Sequence, residues 1–147
     1  MHRFALVSLV MVGSLACDEG EPDFELDAAP FVDGVARDTE GGAFRVTLDS
    51  RDDQLEVGDN LLVAHVGFHH PDDPLDPGLG IPGARVTVEA WMPYDEGERV
   101  VVARELGEGR YAIDSLLLDR AGTWQIDMTI EVGQTLREPV SFAFVVE

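Results

Sequence analysis

The chain has 147 residues with 10 Lys+Arg against 29 Asp+Glu, a formal net charge of −19, and all ten cations are arginine. Such an excess repels nucleic-acid phosphates, and the absence of lysine removes Schiff-base chemistry and any lysine acid or base. The single cysteine allows neither an intrachain disulfide nor a cysteine-rich metal site. A chain of this length is expected to form one domain that buries roughly two-thirds of its unfolded surface, so packing must carry its stability.

Residues 1–16 read as a signal peptide. Met1-His2-Arg3 is a basic start, Phe4 to Val12 is apolar, and the small-residue stretch Gly13-Ser14-Leu15-Ala16 leads to Cys17. The apolar run is about a dozen residues, too short for a membrane span of roughly 20. Cys17 falls where that run ends, in a setting that resembles a bacterial lipobox. One position departs from the pattern: the leucine usual three residues before the cysteine is Ser14 here, and Leu15 stands one place later. The resemblance implies cleavage before Cys17, a diacylglycerol on its thiol, and attachment to membrane lipid in the bacterial envelope, facing the periplasm or the cell surface.

From Cys17 to residue 42 the sequence is acidic and lacks sustained periodicity. Asp18, Glu19, Glu21, Asp23, Glu25, Asp27, Asp33, Asp38 and Glu40 face a single cation, Arg37. The expectation is a solvated, flexible tether with a reach of roughly 25 to 30 Å, lengthened by charge repulsion. Phe31, Val32 and Val35 suggest a different outcome, an extra edge strand packed on the domain.

Residues 43–147 switch to period two, the pattern of half-buried strands. Phe44, Val46 and Leu48 alternate with Arg45, Thr47 and Asp49. Leu62, Ala64, Val66 and Phe68 share a face within Leu61 to Phe68, and Ala84, Val86, Val88, Ala90 and Met92 share one in the next strand, opposite Arg85, Thr87, Glu89 and Trp91. Further strands are expected at Val100 to Arg104, Tyr111 to Leu118, Trp124 to Ile130 and Val140 to Val146. Trp124, Ile126, Met128 and Ile130, with Phe142, Phe144 and Val146, read as core, each contributing about 1.5 to 3 kcal/mol on burial. About seven strands joined by Gly, Pro and Asp turns indicate an all-β, immunoglobulin-like β-sandwich behind the signal peptide and tether.

The candidate chemical motifs are sparse. Gly78-Leu79-Gly80-Ile81-Pro82-Gly83 has the letters of a dinucleotide fingerprint, but a strand rather than a helix follows it and Pro82 removes a backbone donor, so these glycines read as turns. His69 and His70, beside Asp72, Asp73 and Asp76, are candidate metal ligands: imidazole suits copper or zinc, and the carboxylates suit calcium. Adjacent residues of an extended segment point to opposite sides, which works against both imidazoles sharing one ion. His65 reads as a partly exposed strand residue. Ser50, Ser115 and Ser141 lie in no nucleophile motif, and the abundance of carboxylates singles out no acid/base pair, so the expectation is a non-enzymatic protein.

The run Pro82-Gly-Ala-Arg-Val-Thr-Val-Glu-Ala-Trp-Met-Pro93, followed by Glu108-Gly-Arg-Tyr-Ala112 and Ala121-Gly-Thr-Trp-Gln-Ile126, resembles the YtkA-like family of small bacterial envelope domains over about residues 43–146. The resemblance implies an immunoglobulin-like sandwich. Some members of that family are linked with copper handling, which would make Met92, with His69 and His70, a copper site. The turn Met92-Pro-Tyr-Asp-Glu-Gly-Glu98 lacks the histidines that many relatives carry after Met-Pro, and Met92 lies in phase with a core face. The expected function is therefore a membrane-anchored accessory or interaction domain with an envelope protein partner, and copper binding is the alternative.

Overall fold

The computed structural model describes residues 29–68, 79–95, 97 and 99–147. Among these residues ten strands run in chain order: β1 (Ala29–Pro30), β2 (Val35–Asp38), β3 (Phe44–Ser50), β4 (Gly58–Phe68), β5 (Arg85–Trp91), β6 (Arg99–Val102), β7 (Arg104–Gly107), β8 (Arg110–Leu118), β9 (Gly122–Val132) and β10 (Leu136–Val146). They form two five-stranded sheets, ordered β1-β10-β9-β5-β6 and β2-β3-β4-β8-β7. Every pairing is antiparallel except β1 with β10. The β3-β4-β8-β7 and β10-β9-β5-β6 orders match the two sheets of an immunoglobulin-type sandwich, with β1 and β2 added along one flank.

The period-two faces explain the core. Val46, Leu48, Leu62, Ala64, Val66, Val86, Val88, Ala90, Ile113, Trp124, Ile126, Met128 and Ile130 have no exposed surface, and Phe44, Phe142 and Val146 are nearly as buried. Alternation places one side of each strand against the opposing sheet, and the large side chains of β9 and β10 fill the space between. β8 departs from strict alternation. Its pairing with β4 slips between Asn60 and Leu62, and Ser115 takes φ 59, which marks a bulge that keeps both Ile113 and Leu116 inward.

Four expectations from the sequence need correction. Residues 29–42 belong to the sandwich rather than to the tether: Phe31 packs edge-on against Phe144 with ring centroids 5.1 Å apart, and Arg37 lies 5.8 Å over the Phe142 ring. The acids in this stretch are structural partners. Asp33 accepts a hydrogen bond from the Ser50 amide at 2.6 Å, and Asp38 pairs with Arg45 at 2.8 Å, which lets Arg45 lie buried on β3 instead of facing solvent. The segment Val100 to Arg104 is two strands, because Ala103 carries the chain from one sheet to the other while its amide still donates to the Val86 carbonyl at 2.9 Å. Phe68, in phase with a core face, is 55% exposed because β4 extends to the rim of the sandwich there.

Candidate functional site

Two ends of the sandwich carry the residues singled out from the sequence. At the first end β4 stops at Phe68, and the chain returns at Leu79. This return is pinned by backbone bonds: Phe68 N–H donates to Leu79 O at 3.2 Å, Ile81 N–H to Val66 O at 2.9 Å, and Val66 N–H to Gly109 O at 2.8 Å. Gly109 belongs to the β7–β8 turn, where Glu108 and Gly109 both have positive φ (55 and 75), the geometry of a tight hairpin turn. A side chain on Gly80 would place its Cβ 2.0 Å from the Glu108 carbonyl oxygen, so the two backbones meet only because glycine stands there. Tyr111 completes the clamp. Its hydroxyl donates to Ile81 O at 2.5 Å and accepts from the Ala84 amide at 3.0 Å, and burial raises its pKa above the ordinary 10.0. Of the glycines read as turn residues, Gly80 thus serves loop-to-loop contact, while Gly83 takes the positive φ of a turn.

The second end is built from charge. Met92, Pro93, Tyr94 and Asp95 form a turn in which the Asp95 amide donates to Met92 O at 3.2 Å and Tyr94 takes φ 66, a position where glycine is usual. Asp95 sits 3.9 Å from Arg99 and 3.4 Å from Arg120, and Asp119 binds both arginines. Arg99 also lies 5.0 Å over the buried Trp124 ring, whose indole N–H donates to Arg120 O at 3.0 Å. Burial alone would push the Asp119 carboxyl up, but hydrogen bonds from Arg120 and Arg99 outweigh it and hold its pKa below 3.8. The same contact with Asp119, followed by attraction to Asp95, raises the pKa of Arg120. Each cation is matched by a carboxylate, so the cluster locks the turn and covers the tryptophan.

Between the ends, on the outer face of the β10-β9-β5-β6 sheet, Asp127 gathers three donors. Trp91 Nε1–H and Gln125 Nε2–H each reach it at 2.7 Å, and Ser141 Oγ–H reaches it at 2.6 Å. Period two places these side chains outward, but only the register, Trp91 beside Gln125 and Asp127 beside Ser141, brings them together. Ser141 has an acceptor there and no base: among the described residues the one histidine, His65, lies on β4 in the other sheet. His65 is half-buried, with Nδ1 enclosed and unpartnered, opposite Thr47 and Arg110.

On the same outer face as His65, Asp49 on β3 has its pKa raised by burial and by the nearby Asp33 carboxylate. The Gly34 amide and His65 oppose the shift.

No family model, curated protein or solved structure matches the chain.

Of the site residues predicted from the sequence, Met92 alone is among the described residues. Cys17, His69, His70, Asp72, Asp73 and Asp76 lie outside the described residues. Met92 is at the charged end, packed against the core, with its methyl over Gly122, where an added Cβ would meet it at 2.6 Å. The stems of the histidine loop are at the opposite end, because Phe68 pairs with Phe44 at the start of β3, whereas Met92 follows the far end of β5 beside Gln125. The seven residues of β5 span about 23 Å. Met92 thus lies at the end of the sandwich away from Phe68 and Leu79, the described residues that flank the segment holding His69 and His70. Among the described residues no group of three or more His, Cys, Asp or Glu side chains is placed to hold a metal ion.

Proposed function

We propose that this chain is a bacterial envelope lipoprotein whose immunoglobulin-like sandwich is a non-enzymatic accessory or interaction domain held to the membrane through acylated Cys17. The observation that carries the reading is the position of Cys17: it ends an apolar run led by a basic start, and the first described strand begins at Ala29. Residues 18–28 can then span at most about 40 Å, which keeps the domain close to the lipid surface. The YtkA-like resemblance supports the same location. The side-chain clusters support a binding rather than a catalytic role, since the polar groups of Tyr111, Asp119 and Asp127 are committed to contacts within the fold.

Metabolic labelling with an alkyne fatty acid in a bacterial host, read by intact mass and membrane fractionation, tests this. The expected result is an acylated chain that sediments with membranes and a Cys17→Ser variant that is unlabelled and soluble. An unlabelled parent chain, or a Cys17→Ser variant that stays with the membrane, would remove the anchor.

A further inference from the structure

Each of the two sheets ends in two edge strands, and the four edges are not equally protected. β1 is two residues long and ends in Pro30. β2 carries Arg37 and Asp38. β7 carries Arg104 and Glu105, and its register slips between Glu105 and Gly107. Shortness, proline, charge and bulges are the devices by which proteins blunt sheet edges. β6 is as short as β2 and β7, but it carries no proline, charge or bulge over Val100-Val101-Val102, and its one charged residue, Arg99, is turned into the Asp95–Asp119 cluster.

The register shows what this edge presents. Ala103 donates to Val86 O, so bonded pairs recur at Val101–Val88 and Arg99–Ala90, while Val100–Glu89 and Val102–Thr87 are the unbonded pairs of the ladder. The backbone N–H and C=O groups of Val100 and Val102 therefore point away from β5. Their side chains are 55% and 56% exposed on the outer face, whereas Val101 packs inward against the core. Two pairs of outward donors and acceptors flanked by exposed valines form a template for one more strand.

We infer that β6 is a β-augmentation edge that receives an extended, basic peptide segment of a partner protein. Charge decides the occupant. The chain carries −19 overall, and exposed Glu89 stands beside Val100, so a lysine- or arginine-bearing strand is attracted. A second copy brings another −19 and is repelled. An edge four residues long also buries far less than the roughly 1,000 Å² that a stable dimer needs. This inference gives the interaction reading a partner chemistry and rests on that reading, but it does not use the anchor.

The test uses the full chain in non-ionic detergent with two capped seven-residue peptides, one alternating lysine with valine and the other glutamate with valine. Amide hydrogen exchange is read at Val100 and Val102. The lysine peptide is expected to slow exchange at both positions at least tenfold and to lose this effect in high salt, while the glutamate peptide does nothing. Val100→Pro removes an outward N–H without touching a bond to β5 and should abolish the protection read at Val102. The exposed double substitution Val100→Arg/Val102→Arg, which leaves the backbone unaltered, should weaken it at least tenfold. Equal protection by both peptides, no protection by either, or concentration-dependent self-association lost in Val100→Pro would each overturn the inference. Because acylation of Cys17 is measured separately, failure at the edge and failure of the anchor are distinguishable.

Discussion

The two ends of the sandwich close by different physics. At the histidine-loop end, backbone meets backbone through Gly80 and Gly109, and the uncharged Tyr111 hydroxyl ties the loop down. At the Trp124 end, a pair of arginines and a pair of aspartates hold the Met92–Asp95 turn over the core. The first arrangement depends on steric fit and is insensitive to salt, while the second depends on ionisation and is screened. Tight fit fixes a loop more firmly, and ion pairs at a surface contribute little each.

The sharpest way to break this comparison is Gly80→Ala. The added Cβ would overlap the Glu108 carbonyl with backbone on both sides, so the expected loss is about 3 kcal/mol or more in denaturant unfolding. A loss below about 1 kcal/mol would mean that the two loops can part without cost. Next in size is Tyr111→Phe, which leaves the Ile81 carbonyl and the Ala84 amide without the hydroxyl and should cost about 1 to 3 kcal/mol, unchanged by salt.

Asp119→Asn is expected to have the smallest effect, and its pH dependence identifies it. Because the folded-state pKa is lowered, the carboxylate contributes stability above its ordinary value of 3.8 and loses it as pH falls through the folded value. The variant should melt below the parent at neutral pH and low salt and match it once the pH is well below 3.8 or the salt is high. A difference that persists in acid would assign the role of Asp119 to packing rather than to charge.

Much of the fold was legible in sequence because alternation is a local property. Trp124, Ile126, Met128 and Ile130 declare their face by spacing alone, and all four are fully buried. Arg45 was misread for the same reason: period two points it outward, and nothing local reveals that Asp38 on β2 will cover it. The acidic composition of residues 18–42 pointed to a tether, whereas the carboxylates of Asp33 and Asp38 bind within the domain. The Asp127 cluster was illegible, since its donors lie on three strands and only the register joins them.

By itself the sequence determined the charge and the all-β sandwich with its principal core, because these follow from composition and from the two-residue repeat of a strand. Only the tertiary structure decided that residues 29–42 pair with the sandwich, that Met92 lies at the end away from Phe68 and Leu79, and that donors from three strands meet at Asp127. Those outcomes depend on which strand lies beside which. Strand order is set by how the whole chain closes its core, and no local window of sequence contains it.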